Sequence, residues 1–528
     1  MPIELSSANM DTFPLYEPSK TYIYQSDTAL QICFYGLQED SITVVTKYGA
    51  VKGRKTQTFD QRTTYYAFQG IPYAKAPVDD LRFKAPVPPN RWSGYLTTQD
   101  DKHKCLDIFL EGSEDCLYIN VFTPDYESSA LPVMVWIYGG AFVYGDSKLE
   151  SYAPDYFLED GVVIVTFNYR TGVFVLKMPL LQGNYGTKDQ LLALKWVHEN
   201  IEKFGGDPKR VTIFGQSAGS ASVSYLLQTP LAKVDFLQKA IMQSGTSLNI
   251  WALSRNPRKT AFAIGRILGI DTQNSTELVE QLKRLSQRLQ IVSLTASTVR
   301  TILLNNLHEI KFAPTIEPEL EGAVITKKVV KCCSLENLVE FHAWSDLIHM
   351  KAFIFITVPS QDRTIQFLNV GVVIDRFLRP YMLLYDMFLI KLVPVDMNIK
   401  SRFEEALVGF SIRKKYFCWS PICLAKEQLA QVQYIVLGDG FLTDTMFVRS
   451  IHEYVALVSQ FVPLYYYILS YKGDLGVNGN ARRILGIGHN EDLSYLWRSE
   501  RNIDNPSEGD ILTRKRLVKL WTNFAKTS

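Results

Sequence analysis

Apolar residues run unbroken through several short stretches of this chain, and those stretches alternate with segments of helical period. Val133 to Tyr138 in "LPVMVWIYGGAF", and the centres of "GVVIVTFNYR", "RVTIFG" and "KAIMQSG", are continuous apolar runs of strand length. Such runs fit strands covered on both faces. Between them, "DQLLALKWVHENIEKFGG" spaces its apolar residues as a helix does: Leu191, Leu194, Val197 and Ile201 form one face, and Gly205 supplies the stop. "SAGSASVSYLLQ" returns to helical character directly after "RVTIFG". This alternation predicts an α/β fold with a large, mostly parallel central sheet and helices on both faces. "EYVALVSQFVPLYYYIL" is interrupted by Ser459, Gln460 and Pro463. It therefore reads as a helix followed by a strand, Tyr465–Ser470, and no transmembrane segment is expected. The stretch from "YAFQGIPYAKAP" to "RFKAPVPPNRWSG" reads as loops between short strands. No linker interrupts residues 41–528, which are expected to form one domain; residues 1–40 carry no clear pattern.

Composition changes this picture little. The chain has 528 residues, 47% apolar and 21% charged, as an ordinary globular protein does. A formal charge of +2 gives no reason to expect a nucleic-acid partner. The start, "MPIELSSANMDTF", lacks a basic n-region and an apolar h-region, so no signal peptide is expected and the chain reads as cytoplasmic as it stands. Seven cysteines, an odd number, do not define a tidy disulfide framework. Asn274 in "NST" is a glycosylation sequon, relevant only to a secreted protein.

The chemistry concentrates in "VTIFGQSAGSAS". A strand running into Gly-x-Ser-x-Gly and then a helix makes a turn so tight that its flanks must be small, here Gly215, Ala218 and Gly219. Such a turn pushes the Ser217 hydroxyl out at the strand end and faces the following N–H and the helix N-terminus toward developing negative charge. Upstream, "WIYGGAF" places Gly139, Gly140 and Ala141 just after a buried strand, where a turn can aim backbone N–H groups at a tetrahedral oxyanion; Ala218 N–H is a third donor. The expected order in such a fold is serine, acid, histidine. Of the seven histidines, His489 in "LGIGHNEDL" has the required position, in a glycine-containing loop after the last predicted strand. His452 falls inside a predicted helix and reads as a surface or packing residue.

These motifs, together with "FQGIPYAKAP…LRF", "SEDCLYINVFTP", "NYRTGVF", "GNYGTKDQ", "MQSGTS" and "RLVKLWTNFAKT", resemble the type-B carboxylesterases over about residues 43–525. Insect esterases and juvenile hormone esterases are the nearest branch. The resemblance implies an α/β-hydrolase fold, with Ser217 as nucleophile and His489 as base. Gly140, Ala141 and Ala218 become the oxyanion donors. Ser244 lies behind the acid, and Gln216 beside the nucleophile. A Cys105–Cys116 disulfide and the structural ion pairs Arg82–Glu114 and Arg170–Asp189 are implied too. The acid is expected in "KAFIFITVPSQDR", where a strand Ala352–Val358 leads to Asp362; Glu340 and Asp439 are the alternatives. Here Arg363 replaces the usual glycine, and "TGVFVLKMPLLQG" is shorter than its family equivalent.

The reaction so implied needs no metal and no cofactor. It is hydrolysis of a small-molecule carboxylic ester through an acyl-enzyme, with activity falling as the histidine protonates near its ordinary pKa of about 6.5. Many relatives carry Glu where this chain has Gln216, and the loop between Cys105 and Cys116 holds no tryptophan to stack a quaternary ammonium. Choline esters are thus poor candidates, and apolar esters of xenobiotic, lipid-like or juvenile-hormone type are favoured. The alternative is a catalytically impaired protein of the same fold with a binding role.

Overall fold

The structure is a computed structural model and describes residues 24–26, 29–31, 41–109, 111–127, 130–175, 183–232, 236–285, 312–326, 351–356, 444–476, 488–499 and 506–527. The chain divides into two compact units, Met1–Asp40 and Ser41–Ser528. In the first, β1 (Tyr24–Ser26) pairs antiparallel with β2 (Ala29–Gln31).

The second unit is built on an 11-stranded sheet. Its strands are β3 (Ser41–Val45), β4 (Ala50–Gln57), β5 (Thr64–Pro72), β6 (Tyr95–Thr97), β7 (Tyr118–Thr123), β8 (Leu131–Ile137), β9 (Val163–Phe167), β10 (Gly206–Gln216), β11 (Lys239–Gln243), β12 (Lys351–Ile356) and β13 (Leu464–Ile468). They lie in the order β13-β12-β11-β10-β8-β9-β7-β5-β4-β3, with β6 paired to β4. From β13 to β9 every pairing is parallel; from β9 to β3 every pairing is antiparallel. The described helices are α1 (Asp155–Leu158), α2 (Tyr185–Asn200), α3 (Ala218–Gln228), α4 (Pro257–Ile267), α5 (Ser275–Arg284), α6 (Arg449–Val458), α7 (Leu493–Leu496) and α8 (Glu508–Lys526).

The predicted apolar runs all become strands of the parallel half. Along β10, Val211, Thr212, Ile213 and Phe214 are all fully buried. Successive strand residues face opposite ways, so both faces of the sheet are covered. Helices α2, α3 and α8 supply this cover against β10. Helix α2 starts four residues ahead of "DQLLALKW", because Asn184 sits in the left-handed region at φ 51° and turns the chain into the helix. Gly205 ends the following turn at φ 82°, a conformation open to glycine at no steric cost. The interrupted apolar segment near residue 460 divides into α6 and β13. Among the described residues, no helix is long and apolar enough to cross a membrane.

Two packing features fix the pieces that carry chemistry. Phe214 of β10 stacks on Trp497 at 5.8 Å, and Trp136 of β8 and Phe157 of α1 close the same cluster at 5.2 and 5.0 Å from Trp497. The C-terminal end of α7 is thereby anchored to the two central strands. Farther along the sheet, the buried Lys239 at the start of β11 donates from Nζ to Phe524 O and Ala525 O, each at 2.9 Å, and to Thr527 O, tying down the end of α8. Ser507 and Asp510 close a capping box at the other end of that helix.

Candidate active site

Strand β10 ends at Gln216 and α3 begins at Ala218, so a single residue makes the turn between them. That residue is Ser217, at φ 57° and ψ −121°. A non-glycine residue held there stores about 1–3 kcal/mol of strain. The flanking glycines explain how the turn closes. A Cβ on Gly219 would strike Ile137 O and stand 2.6 Å from Tyr138 O, and one on Gly215 would stand 2.7 Å from Gly219 and from Ile137 O. The elbow therefore rests directly on the end of β8. Three hydrogen bonds pin it: Ser217 N–H to Gln243 O at 2.8 Å, Ala221 N–H to Ser217 O at 3.0 Å and Ser220 Oγ to Gly245 O at 2.5 Å.

The turn after β8 lies against this elbow. A Cβ on Gly139 would be 3.1 Å from Ser217 Cβ. Gly140, Ala141 and Phe142 follow at φ 107°, 54° and 58°. Gly140 O accepts from Val143 N–H and Tyr144 N–H at 2.9 and 3.2 Å, which winds the turn tightly. Among the described residues, the N–H groups of Gly140, Ala141 and Ala218 donate to no acceptor. Reciprocal bonds brace the turn from below, Tyr138 OH to Tyr169 O at 3.1 Å and Tyr169 OH to Tyr138 O at 2.6 Å.

His489 comes to the same place from far along the chain. Its Nε2 lies 3.1 Å from Gln216 Nε2. An amide nitrogen can only donate, so the imidazole Nε2 accepts and the ring proton sits on Nδ1. Phe447, in the π-helical turn Asp444–Val448, packs 5.0 Å from the imidazole. Trp251 lies 5.8 Å from Phe447 and 6.5 Å from Phe142, so a buried aromatic wall runs from the turn after β8 to the histidine. Trp251 Nε1 donates to Met446 O at 2.8 Å, which satisfies the one polar atom of that wall.

The structure thus gathers Ser217, Gln216, Ala218, the Gly140–Ala141 turn and His489 at the C-terminal ends of β8 and β10. Ser244 follows β11 fully buried, at φ 56°. Asp362, Glu340 and Asp439 lie outside the described residues. Gln216, Gln243 and Phe355 are level in β10, β11 and β12, so β12 ends on the same side of the sheet as the serine. Sequence reasoning missed the wall of Phe142, Trp251 and Phe447, and it missed Gln243 and Asp492, which bond each other beside the histidine loop. Gln243 stands in the quoted "MQSGTS" and Asp492 in "GIGHNEDL", but no spacing joins them.

The implied structural features are present. Cys105 and Cys116 are bonded, with Cα atoms 4.8 Å apart. Arg82 Nε meets Glu114 at 2.7 Å, and Arg170 engages Asp189 bidentately at 2.8 and 2.7 Å. His452 is exposed on α6 and pairs with Tyr466 OH at 2.6 Å, away from the serine. Asn274 is exposed, and its side chain caps α5 by accepting from Thr276 N–H at 2.9 Å.

A strained serine between a parallel strand and a helix, at the strand ends of a covered mixed sheet, defines a serine hydrolase of the α/β-hydrolase class. Comparison with known proteins narrows the class. The Carboxylesterase family profile matches residues 40–528. The chain is 34% identical to juvenile hormone esterase of Tribolium castaneum over 524 residues, covering 91% of this chain and 83% of that protein. It is 38% identical to esterase FE4 of Myzus persicae over 507 residues, with the same coverage of 91% and 83%. The crystal structure of juvenile hormone esterase from Manduca sexta, with OTFP covalently attached, superposes with a TM-score of 0.75 at 25% identity, covering 92% of this chain and 90% of that one. The chain belongs to the carboxylesterase family and is a carboxylesterase.

Proposed function

We propose that this carboxylesterase hydrolyses apolar carboxylic esters through an acyl-enzyme on Ser217, with His489 as general base. One observation carries the reading: His489 Nε2, in its accepting form, reaches the residue next to the serine. Ser217 Oγ attacks the ester carbonyl as its proton passes to His489 Nε2. The N–H groups of Gly140, Ala141 and Ala218 receive the oxyanion, and each such donor is worth about 3 kcal/mol in the transition state. The imidazolium then protonates the departing alcohol, and water, deprotonated by the same ring, releases the acid. Asp362 is the carboxylate assigned to the Nδ1 side, with Ser244 behind it.

Substrate preference follows from the wall and from charge. Phe142, Trp251 and Phe447 offer an apolar surface to an acyl or alcohol group. Gln216 places an amide, not a carboxylate, beside the base, so a cationic alcohol gains little there. Two relatives named as juvenile hormone esterases put juvenile-hormone-type esters in the test set beside general apolar esters. The test is hydrolysis of p-nitrophenyl butyrate, a juvenile-hormone-type ester and a choline ester by the wild type and Ser217→Ala. Apolar esters should be cleaved by the wild type alone, and an organophosphate should label Ser217. Equal rates for the two proteins would overturn the assignment of the nucleophile.

A further inference from the structure

Gln243 and Asp492 are both completely buried, and Gln243 Nε2 donates to Asp492 Oδ2 at 2.5 Å. The other edge of the pair poses a problem. Asp492 Oδ1 and Gln243 Oε1 are also buried, and neither has a partner at hydrogen-bond geometry, although the N–H groups of Asp492 and Leu493 lie close to the carboxylate. Two orphaned acceptors on the two members of one contact are costly. A single proton removes both orphans. A carboxylic acid and a carboxamide each present one donor and one acceptor side by side, so a proton on Oδ1 turns that atom into a donor to Oε1.

We infer that Asp492 is a protonated carboxylic acid joined to Gln243 by two hydrogen bonds, and that this pair is a positioning device for His489. The surroundings favour the neutral form. No cation pairs with Asp492 among the described residues, and its charged neighbour Glu491 has the same sign. Burial pushes the Asp492 carboxyl up to about 6, with the Gln243 amide and the nearby amides of Asp492 and Leu493 acting the other way. Donation from Oδ1–H to Oε1 belongs to the neutral form and pushes further upward. Across the site, Tyr467 of β13 is held neutral by its own burial, so it brings no charge to the pair. His489, three residues earlier, is a further titratable group of the same loop.

The place of the pair gives it a role. Gln216 and Gln243 are register partners on the parallel strands β10 and β11, so their side chains leave the sheet on the same face. Gln216 reaches His489 and Gln243 reaches Asp492. Adjacent strands thus grip one loop at two points, and Trp497 anchors the far end of the short helix α7 that follows it. Ionisation of Asp492 would leave a buried carboxylate without a countercharge, which the loop can relieve only by moving, and His489 moves with it.

This inference rests on the reading of His489 as the base. Its test compares Asp492→Asn, Asp492→Ala and the exchange Gln243→Glu with Asp492→Asn. An Asn side chain reproduces both hydrogen bonds and cannot ionise. Asp492→Asn should therefore keep wild-type kcat/KM at neutral pH and lose any decline the wild type shows as pH rises further. Asp492→Ala should lower kcat about a hundredfold with KM little changed, the scale of a small misplacement of a reacting group. The exchange variant, with acid and amide swapped, should recover activity. The infrared difference between wild type and Asp492→Asn should contain the carbonyl band of a protonated carboxylic acid. An Asp492→Asn enzyme as impaired as Asp492→Ala, or absence of that band at neutral pH, overturns the proposal. The band needs no active enzyme and survives if His489→Ala proves as active as wild type, so failure of the base assignment is read separately.

Discussion

Nε2 of Gln216 and Nε2 of His489 stand 3.1 Å apart, although the two residues are separated by 273 positions in the chain. In this contact the amide donates and the ring nitrogen accepts, and the group beside the imidazole is neutral. Replacing Gln216 by Glu would put a negative charge there, which stabilises the imidazolium. The acidic limb of the kcat/KM profile should then move to higher pH, by about one unit. Cationic esters should gain relative to neutral ones. A profile superimposable on wild type would show that position 216 does not act on His489.

Strain at Ser217 is open to a thermodynamic test. At φ 57° a glycine sits without penalty, and the proposed role of the hydroxyl lies in the reaction. Ser217→Gly should abolish hydrolysis, a loss of about 10⁴–10⁶ in kcat, while raising stability by about 1 kcal/mol. Denaturant midpoints measure the second effect. A destabilised Ser217→Gly protein would mean that the elbow carries no stored strain.

Burial separates two ion pairs that look alike in sequence. Arg170 and Asp189 are almost wholly inaccessible, and Asp189→Ala strands a buried guanidinium. The expected cost is about 3–5 kcal/mol. Lys47 and Glu199 also meet at 2.8 Å, but the lysine side chain is 46% exposed. Glu199→Ala should cost less than about 1 kcal/mol. Urea unfolding of the two variants checks the contrast, and similar values would refute it.

Asp492 should make stability fall with rising pH. Its folded-state pKa is raised from 3.8 to about 6, so the folded protein holds this proton more tightly than the unfolded chain. The contribution is complete below the ordinary carboxylate range and is lost as pH climbs through the folded value. Burial, which carries the folded value to about 6, should cost the wild type about 3 kcal/mol relative to Asp492→Asn between about pH 4 and 6, and the acid–amide pair, by holding the proton past neutral pH, should carry the decline further. A difference independent of pH, from paired urea titrations, would contradict this.

Which parts were legible in the sequence follows from how local each signal is. Strands β8, β9, β10 and β11 are unbroken apolar runs, and burial on two faces needs no distant partner to be read. The elbow was legible because its glycines are demanded within five residues by contact with the end of β8. Strand β10 runs five residues longer than "RVTIFG", since Gly206 pairs with Leu131 across an irregularity that no apolar pattern marks. The Gln243–Asp492 pair joins residues 249 positions apart, and each looks ordinary alone. The wall of Phe142, Trp251 and Phe447 likewise exists only once three distant segments meet. For the acid, the sequence offers Asp362, Glu340 and Asp439 by position, and only contact with the histidine can choose among them.

Lys239 gives the sheet a dependence on chain that is made long after it. Its ammonium is buried at the head of the strand whose far end holds Gln243, and three of the carbonyls that receive it belong to residues 524–527. Those acceptors emerge from the ribosome almost three hundred residues after the lysine. Until they arrive, β11 begins with a charge that prefers water, so the half of the sheet bearing the elbow completes its packing only as the last helix docks.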